Sequence, residues 1–240
     1  MTEGEYVQRI LGRVRRAVQD FQMIDEGDKI AIGVSAGKDS LTLLYAMKRL
    51  ASFYPKKFDV IGITVDQGFE GADFGPIQAF CNEIGVEYHV IPSNIKEVVF
   101  DIKKEHNPCS LCANLRRGIL NTAAGRLGCN KVALAHHMDD AVETFFLSLF
   151  YEGRIYCFEP KSYLTRSKIT VIRPMIYIKE AENRGMVKRL NLPVIENPCP
   201  ANGKTQREEI KRFINGLSEF GPRTKDLVFN AIRRKLWLGQ

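Results

Sequence analysis

The six residues Ser35-Ala36-Gly37-Lys38-Asp39-Ser40 have the types and spacing with the most chemistry in them. Two hydroxyls, a lysine and an aspartate surround a glycine that permits close approach to the backbone. The preceding Ile30–Val34 is a short, β-branched apolar run, and an apolar helical pattern begins at Leu41. The stretch therefore joins a buried strand to a helix N-terminus, where backbone N–H groups and the positive end of the helix dipole converge on one point. That arrangement binds phosphate, and Lys38 adds a cation, so the residues read as a nucleoside-triphosphate cradle. A Walker-type loop is excluded. The pattern G-x-x-x-x-G-K-S/T, aligned on Gly37-Lys38, needs glycine at Ile32 and a hydroxyl residue at Asp39. If position 36 requires a positive φ, alanine is strained there.

A second cluster, Ala135-His136-His137-Met138-Asp139-Asp140, is followed by Glu143-Thr144. Asp140 and Glu143 share a face of the helix that starts here. Asp139 and Asp140 suit an N-cap or the coordination of Mg²⁺ beside phosphates. In isolation a capped helix with a core histidine explains the pattern; next to a phosphate loop it reads as active site.

Cysteine supplies a third signal. Cys109 and Cys112 form a C-x-x-C after Asn107-Pro108, and Cys199 stands between Pro198 and Pro200. Such spacing, in a chain expected to be cytosolic, suggests metal, cluster or redox chemistry more than a disulfide. Zinc needs four ligands, which His106 and Cys199 complete. A thioredoxin-like dithiol belongs at a helix start beside a strand, and no strand is expected to end at Pro108. An iron–sulfur cluster on three thiolates leaves one iron open. Spacing alone leaves zinc and iron level. Cys81 and Cys129 read as core, and Cys157 is undecided.

These groups must be positioned by alternating elements. Tyr6, Ile10, Val14, Ala17, Val18 and Phe21 mark a first helix. Strands are expected at Lys29–Val34, Phe58–Val65, Val86–Ile91, Lys131–Ala135 and Ile169–Ile172. Helices are expected at Leu41–Phe53, Phe74–Ile84, Asn94–Lys103, Leu115–Leu127 and Ala141–Phe150. The pattern predicts an α/β fold with a doubly wound, mostly parallel, Rossmann-like sheet and helical N- and C-terminal extensions. Domain boundaries are expected at 1–27, 28–200 and 201–240. Ligands in such sheets sit at the carboxyl ends of strands. There Ser35–Ser40, Val65 and Asp66 with Gln67-Gly68, and His136 to Asp140 should converge on the nucleotide.

The chain has 240 residues, 45% hydrophobic and 26% charged, enough for a sizeable core. No apolar run reaches the ~20 residues that span a bilayer, and the N-terminus is no signal peptide. A cytoplasmic protein without membrane association is expected. The net charge of +7 suits a polyanionic partner. Arg116 and Arg117, Arg166 and Lys168, Lys204, Arg207, Lys211 and Arg212, and Arg233-Arg234-Lys235 are candidate phosphate contacts, or solvated faces. Glu152–Ser167 is expected to be a mobile loop.

The ordered motifs S-A-G-K-D-S, C-S-L-C-A-N-L-R-R-G-I-L, A-L-A-H-H-M-D-D-x-x-E-T, V-I-R-P and P-C-P resemble those of the tRNA 2-thiocytidine synthetases (TtcA type), a family of PP-loop ATP pyrophosphatases. The similarity runs from about Lys29 to Arg207. It implies a PP-loop (HUP-type) core, ATP with Mg²⁺, an oxygen-sensitive 4Fe–4S cluster, and thiolation of a cytidine in the tRNA anticodon loop, position 32. By motif the cluster ligands are Cys109, Cys112 and Cys199, and the ATP loop is Ser35–Ser40. Some members carry another cysteine three beyond Cys199; here that residue is Asn202, which leaves three ligands. Lys38 should steady phosphate charge, Asp39 and Asp140 hold Mg²⁺ or orient, and Arg116 meet ATP or tRNA. A sulfur donor, either a cysteine desulfurase or sulfide, and a homodimer are implied as well. The alternatives are 2-thiouridine synthesis, another PP-loop adenylation with zinc at the cysteines, and a non-enzymatic nucleotide- or RNA-binding module.

Overall fold

The computed structural model describes residues 2–102, 108–195, 199 and 206–239. Its first helix, α1 (Glu3–Asp20), is capped reciprocally by Thr2 and Glu5. The buried stripe of α1, including Ile10, Leu11, Val14 and Val18, joins the main core. Then follow β1 (Asp28–Gly33), α2 (Lys38–Ala51), β2 (Phe58–Asp66), α3 (Gly75–Glu83), β3 (Glu87–Pro92) and a π-helical turn at Glu97–Ile102. The second half runs α4 (Pro108–Arg126), β4 (Lys131–Ala133), α5 (Met138–Glu152), β5 (Lys161–Leu164), β6 (Ile169–Ile172), α6 (Glu180–Leu190), α7 (Gln206–Gly216) and α8 (Thr224–Ile232).

The sheet order is β3-β2-β1-β4-β6-β5. All pairs are parallel except β5–β6. The chain leaves β1 toward β2 and β3 and later returns to its other side with β4. The topological switch point, where such sheets bind ligands, is therefore the carboxyl edge between β1 and β4. The doubly wound expectation holds. The two faces are unequal. Ile30 and Ile32 face a large core shared with α1, α2, α5 and α6, whereas Ala31 faces a smaller one covered by α4 and the π-helical turn. Gly33 admits that cover, because a Cβ there would stand 2.9 Å from Leu120 Cδ2 of α4.

Two sequence expectations need correction. The helix expected from Leu115 begins at Pro108, so Cys109 and Cys112 lie in its first five residues. Its opening residues carry no apolar stripe to betray it, while proline suits a first helical position. Glu152–Ser167, expected as a loop, contains β5, which pairs Lys161–Leu164 with β6 and covers what would otherwise be an open sheet edge. Arg166 and Lys168 sit exposed in the hairpin turn. Among the described residues no helix is long and apolar enough to cross a membrane.

Candidate active site

The loop after β1 is built by its own hydroxyls. Ser40 Oγ accepts from the Ser35 N–H at 3.1 Å and donates to the Gly37 carbonyl at 2.9 Å. Gly37 caps α2 without a side-chain bond, which leaves the first-turn N–H groups to a ligand. Ala36 has φ 63°, the left-handed conformation in which an alanine is strained. Its carbonyl accepts from the Ile195 N–H at 3.0 Å, so the chain approaching Cys199 is tied to the loop.

Lys38 Nζ lies 2.9 Å from Asp39 Oδ2 and 3.2 Å from Glu180 Oε1. Burial works against its charge, but Asp39 and then Glu180 outweigh it, and the ammonium titrates above its ordinary value. Asp39 Oδ1 also accepts from Asn183 Nδ2 at 2.8 Å. Asn183 is fully buried, and its Oδ1 has no hydrogen-bond partner among the described residues.

The helix after β4 corrects another expectation. Its N-cap is His137, not an aspartate. His137 Nδ1 accepts from the Asp140 N–H at 3.3 Å, and Asp140 Oδ2 accepts from the His137 N–H at 2.9 Å. With Nδ1 an acceptor, the hydrogen-bond pattern assigns the imidazole proton to Nε2, which stands 3.8 Å from Asp39 Oδ1. The core-histidine reading thus holds for His137, which also links the two predicted carboxylates. Asp139 accepts from the Glu180 N–H at 2.7 Å and from Lys225 Nζ at 2.5 Å. Burial opposes its ionisation, yet these donors hold its carboxyl below the usual range. Arg207 bridges Asp140, at 3.2 Å, to Glu143, at 2.9 Å. Burial, then Asp140, pushes Glu143 up to about 7.

His136 and Arg173 stand at the ends of β4 and β6. Arg173 Nε donates to His136 Nδ1 at 3.2 Å. Burial, then the Arg173 charge, takes His136 down to about 3, so the imidazole is neutral. Asp66 closes β2, with its Oδ1 accepting from the Gly68 N–H at 2.9 Å and its carbonyl from Ser93 Oγ at 2.6 Å. The Val65 side chain is buried in the smaller core, so what it offers a ligand is main chain.

The thiols lie along the same edge. Cys112 Sγ donates to Gln67 Oε1, just past β2, at 3.1 Å. Burial raises the Cys112 thiol; Arg116 opposes this, while Cys199 and Cys109 act on it electrostatically and add to the rise. Cys112 is thus within electrostatic reach of both other cysteines, with Cys109 exposed and Cys112 and Cys199 half-buried. None of the six cysteines is in a disulfide. Among the described residues, no three Cys, His, Asp or Glu side chains are drawn together tightly enough to hold a metal unaided. Cys81 and Cys129 are core, as expected, and Cys157 is also buried, with its Sγ donating to the Ala141 carbonyl. His106, Lys204 and Asn202 lie outside the described residues.

The tail basics divide. Arg207 turns inward to Asp140 and Glu143, Lys211 pairs with Glu208, and Arg233 lies over the Tyr177 ring. Arg212, Arg234 and Lys235 are exposed. Arg117 is exposed and bonded to Asn114 of its own helix, while Arg116 is half-buried beside Cys112. Glu180, Asn183 and Lys225 join the site without having been singled out in the sequence. Nothing local marks them, because their partners are about 40 to 144 residues away.

The fold and loop define the class: residues 10–217 match the family model of the PP-loop domain. The chain is 38% identical over 230 residues to the tRNA-cytidine(32) 2-sulfurtransferase of Geobacter metallireducens, across 93% of this chain and 88% of the relative. The protein of the same name from Geobacter sulfurreducens is 35% identical over 227 residues, with the same coverage. The chain belongs to the tRNA-cytidine(32) 2-sulfurtransferase family. Among solved structures it is similar to the U34-tRNA thiolase NcsA from Methanococcus maripaludis, described with its 4Fe–4S cluster. That likeness has a TM-score of 0.80 and 25% identity, and covers 98% of this chain and 80% of the other.

Proposed function

We propose that the protein replaces O2 of a cytidine in the tRNA anticodon loop, position 32, with sulfur, coupled to cleavage of ATP into AMP and diphosphate. The observation that carries this reading is a pair of hydrogen bonds. Cys112 to Gln67 and Ile195 to Ala36 tether the cysteine-bearing segments to the edge where the phosphate loop opens.

An oxygen on C2 of a pyrimidine is a poor leaving group. Attack of O2 on the α-phosphorus of ATP expels diphosphate and turns that oxygen into part of AMP. Sulfur at the sulfide level then adds to C2, and the C2–O bond breaks with AMP as leaving group; no electrons are gained or lost overall. The loop N–H groups and Lys38 stabilise charge on the phosphates, which is where it develops. To reach them Lys38 exchanges Asp39 and Glu180 for phosphate oxygens. Asp39, relieved of the ammonium and beside the Asn183 oxygen that has no partner among the described residues, and Asp140 suit Mg²⁺, which neutralises departing diphosphate. A Cys112 thiol in electrostatic reach of both Cys109 and Cys199, none of the three in a disulfide, suits an iron–sulfur group; Cys109, Cys112 and Cys199 would hold it. When bound, a 4Fe–4S cluster on three thiolates supplies an iron with an open position for the sulfur. Arg116, beside Cys112, favours the thiolate form. The same reading takes sulfur from sulfide, or from a cysteine desulfurase whose persulfide is first reduced by two electrons to the sulfide level by a thiol reductant, in the cytoplasm, with the protein as a homodimer.

Mixing protein, tRNA and ATP tests the proposal. AMP and diphosphate release should require tRNA, and nucleoside mass spectrometry should find 2-thiocytidine. Asp39→Ala should slow that release by roughly a hundredfold with the iron–sulfur absorbance unchanged. Unchanged ATP would overturn the reading, 2-thiouridine would redirect it, and a colourless active protein would replace iron with zinc.

A further inference from the structure

We infer that the cavity beside Arg173 seats the target base, and that Glu159 and Arg173 read it as cytosine; this rests on the sulfurtransferase reading above.

Arg173 immediately follows β6 and bonds His136, which follows β4, so the cavity lies on the same carboxyl edge as the phosphate loop. Arg173 is only 8% exposed. It donates to two neutral acceptors, His136 Nδ1 and, at 2.5 Å, the Glu159 carbonyl oxygen, and no carboxylate pairs with it among the described residues. A buried cation held this way retains donor capacity for a ligand rich in acceptors. Burial brings Arg173 down to about 10, so it is still charged at neutral pH.

The cavity is about 330 Å³, lined by Tyr156, Phe158, Glu159, Ser162, Arg173 and Leu236 among others. That is the lower end of the ~300–1,000 Å³ of small-molecule sites. Phe158 is covered by the Arg173 guanidinium at 4.8 Å and the His136 ring at 4.8 Å. Its carbonyl accepts from Trp237 Nε1, which holds the C-terminal turn against this wall. Tyr156, 47% exposed, stands at the rim with Arg154 over its ring. An aromatic rim with cations suits a base that has left its stack.

Donor and acceptor order then selects the base. Cytosine presents, in sequence, the N4 amino donor, the N3 acceptor and the O2 acceptor. The exposed Glu159 carboxylate accepts from N4, Arg173 donates to N3, and O2 is left toward the loop. Uracil reverses the first two groups: its O4 faces a carboxylate and its N3–H faces a guanidinium. His136 is a positioning residue that holds Arg173.

Single-turnover thiolation by the cluster-loaded full chain, on tRNAs with cytidine or uridine at the target position, tests this. Glu159→Gln should lower kcat/KM on cytidine by about 10- to 100-fold, the range one paired base contact provides, and narrow the preference for cytidine by at least ~10-fold. Ser162→Phe, which fills the cavity from the edge strand, should lower thiolation by at least ~10-fold while tRNA affinity stays within ~3-fold, since the backbone contacts dominate affinity. A wild type that thiolates cytidine, together with variants that keep its rate and preference, overturns the base pocket and leaves the sulfurtransferase reading standing. A wild type that thiolates no cytidine sinks both.

Discussion

The two ends of the crevice are built differently. At the phosphate loop the protein bonds to itself: Ser40 ties the loop, Asn183 and Lys38 hold Asp39, two donors hold Asp139, and Arg207 spans Asp140 and Glu143. At the cysteine end Cys112 makes one side-chain bond and Cys109 is exposed. The first end is preorganised for charge that arrives with the nucleotide, which is how a site stabilises a transition state without rearranging at the moment of reaction. The second supplies soft donors and leaves their final arrangement to what they bind. Under the function proposed above, the edge is densely hydrogen-bonded where phosphate would bind and presents soft donors where sulfur would be handled.

The largest effect that would break this contrast is at the cysteines. Cys112→Ala should remove iron–sulfur absorbance and lower thiolation more than a hundredfold, as loss of a ligand does. The metal-free protein should lose under about 1 kcal/mol, since one weak S–H bond and partial burial are given up. Thermal melting of the metal-free variant measures the second half. A collapse in Tm would show that the cysteine end is structural after all.

The next effect belongs to the bonded end. Glu143 is buried and titrates at about 7, against an ordinary 4.5, through burial and then Asp140. Between these values the folded protein holds a proton that the unfolded chain has released. The stability this provides is present below pH 4.5 and is lost as pH rises through 7. The loss has an upper bound of roughly 3 kcal/mol, or several degrees in Tm. Glu143→Gln cannot ionise, so its Tm should fall less than that of wild type from pH 5 to pH 8. Parallel curves for the two proteins would clear Glu143.

What could be read in the sequence follows the range of the interactions. Strands β1, β2, β3 and β6 and the loop at Ser35–Ser40 declare themselves because apolar period and loop chemistry are local. So does the strain at Ala36, foreseen for a positive φ and found at 63°. The start of α4 was hidden because Pro108–Asn114 mixes proline, cysteines and small residues without an apolar period, and β5 by its shortness and its place at the edge. The Asp39–Asn183, Asp139–Lys225 and Asp140–Arg207 pairs were not legible, since each joins side chains far apart in the chain. Arg207 illustrates the point: its composition suggested a solvated or RNA-facing cation, while its fold neighbours are two carboxylates.

The smallest effect tests how strongly the frame dictates the loop. Ala36 occupies the left-handed region, which costs an L-residue about 1–2 kcal/mol. Glycine would relieve that, but it loses about 0.5–1 kcal/mol more chain entropy on folding. It would also give up a methyl buried in the main core, worth about 0.8 kcal/mol. The three contributions nearly cancel, so Ala36→Gly should shift Tm by less than about 2 °C. ATP affinity should stay within about twofold, because the Ile195 hydrogen bond and the Ser40 bonds, not the methyl, set the loop. Ala36→Val keeps the same φ with a β-branched side chain and should destabilise by at least about 2 kcal/mol. If valine is tolerated as well as glycine, the loop is free to leave its left-handed conformation, and the rigid end of the crevice is less rigid than its hydrogen bonds imply.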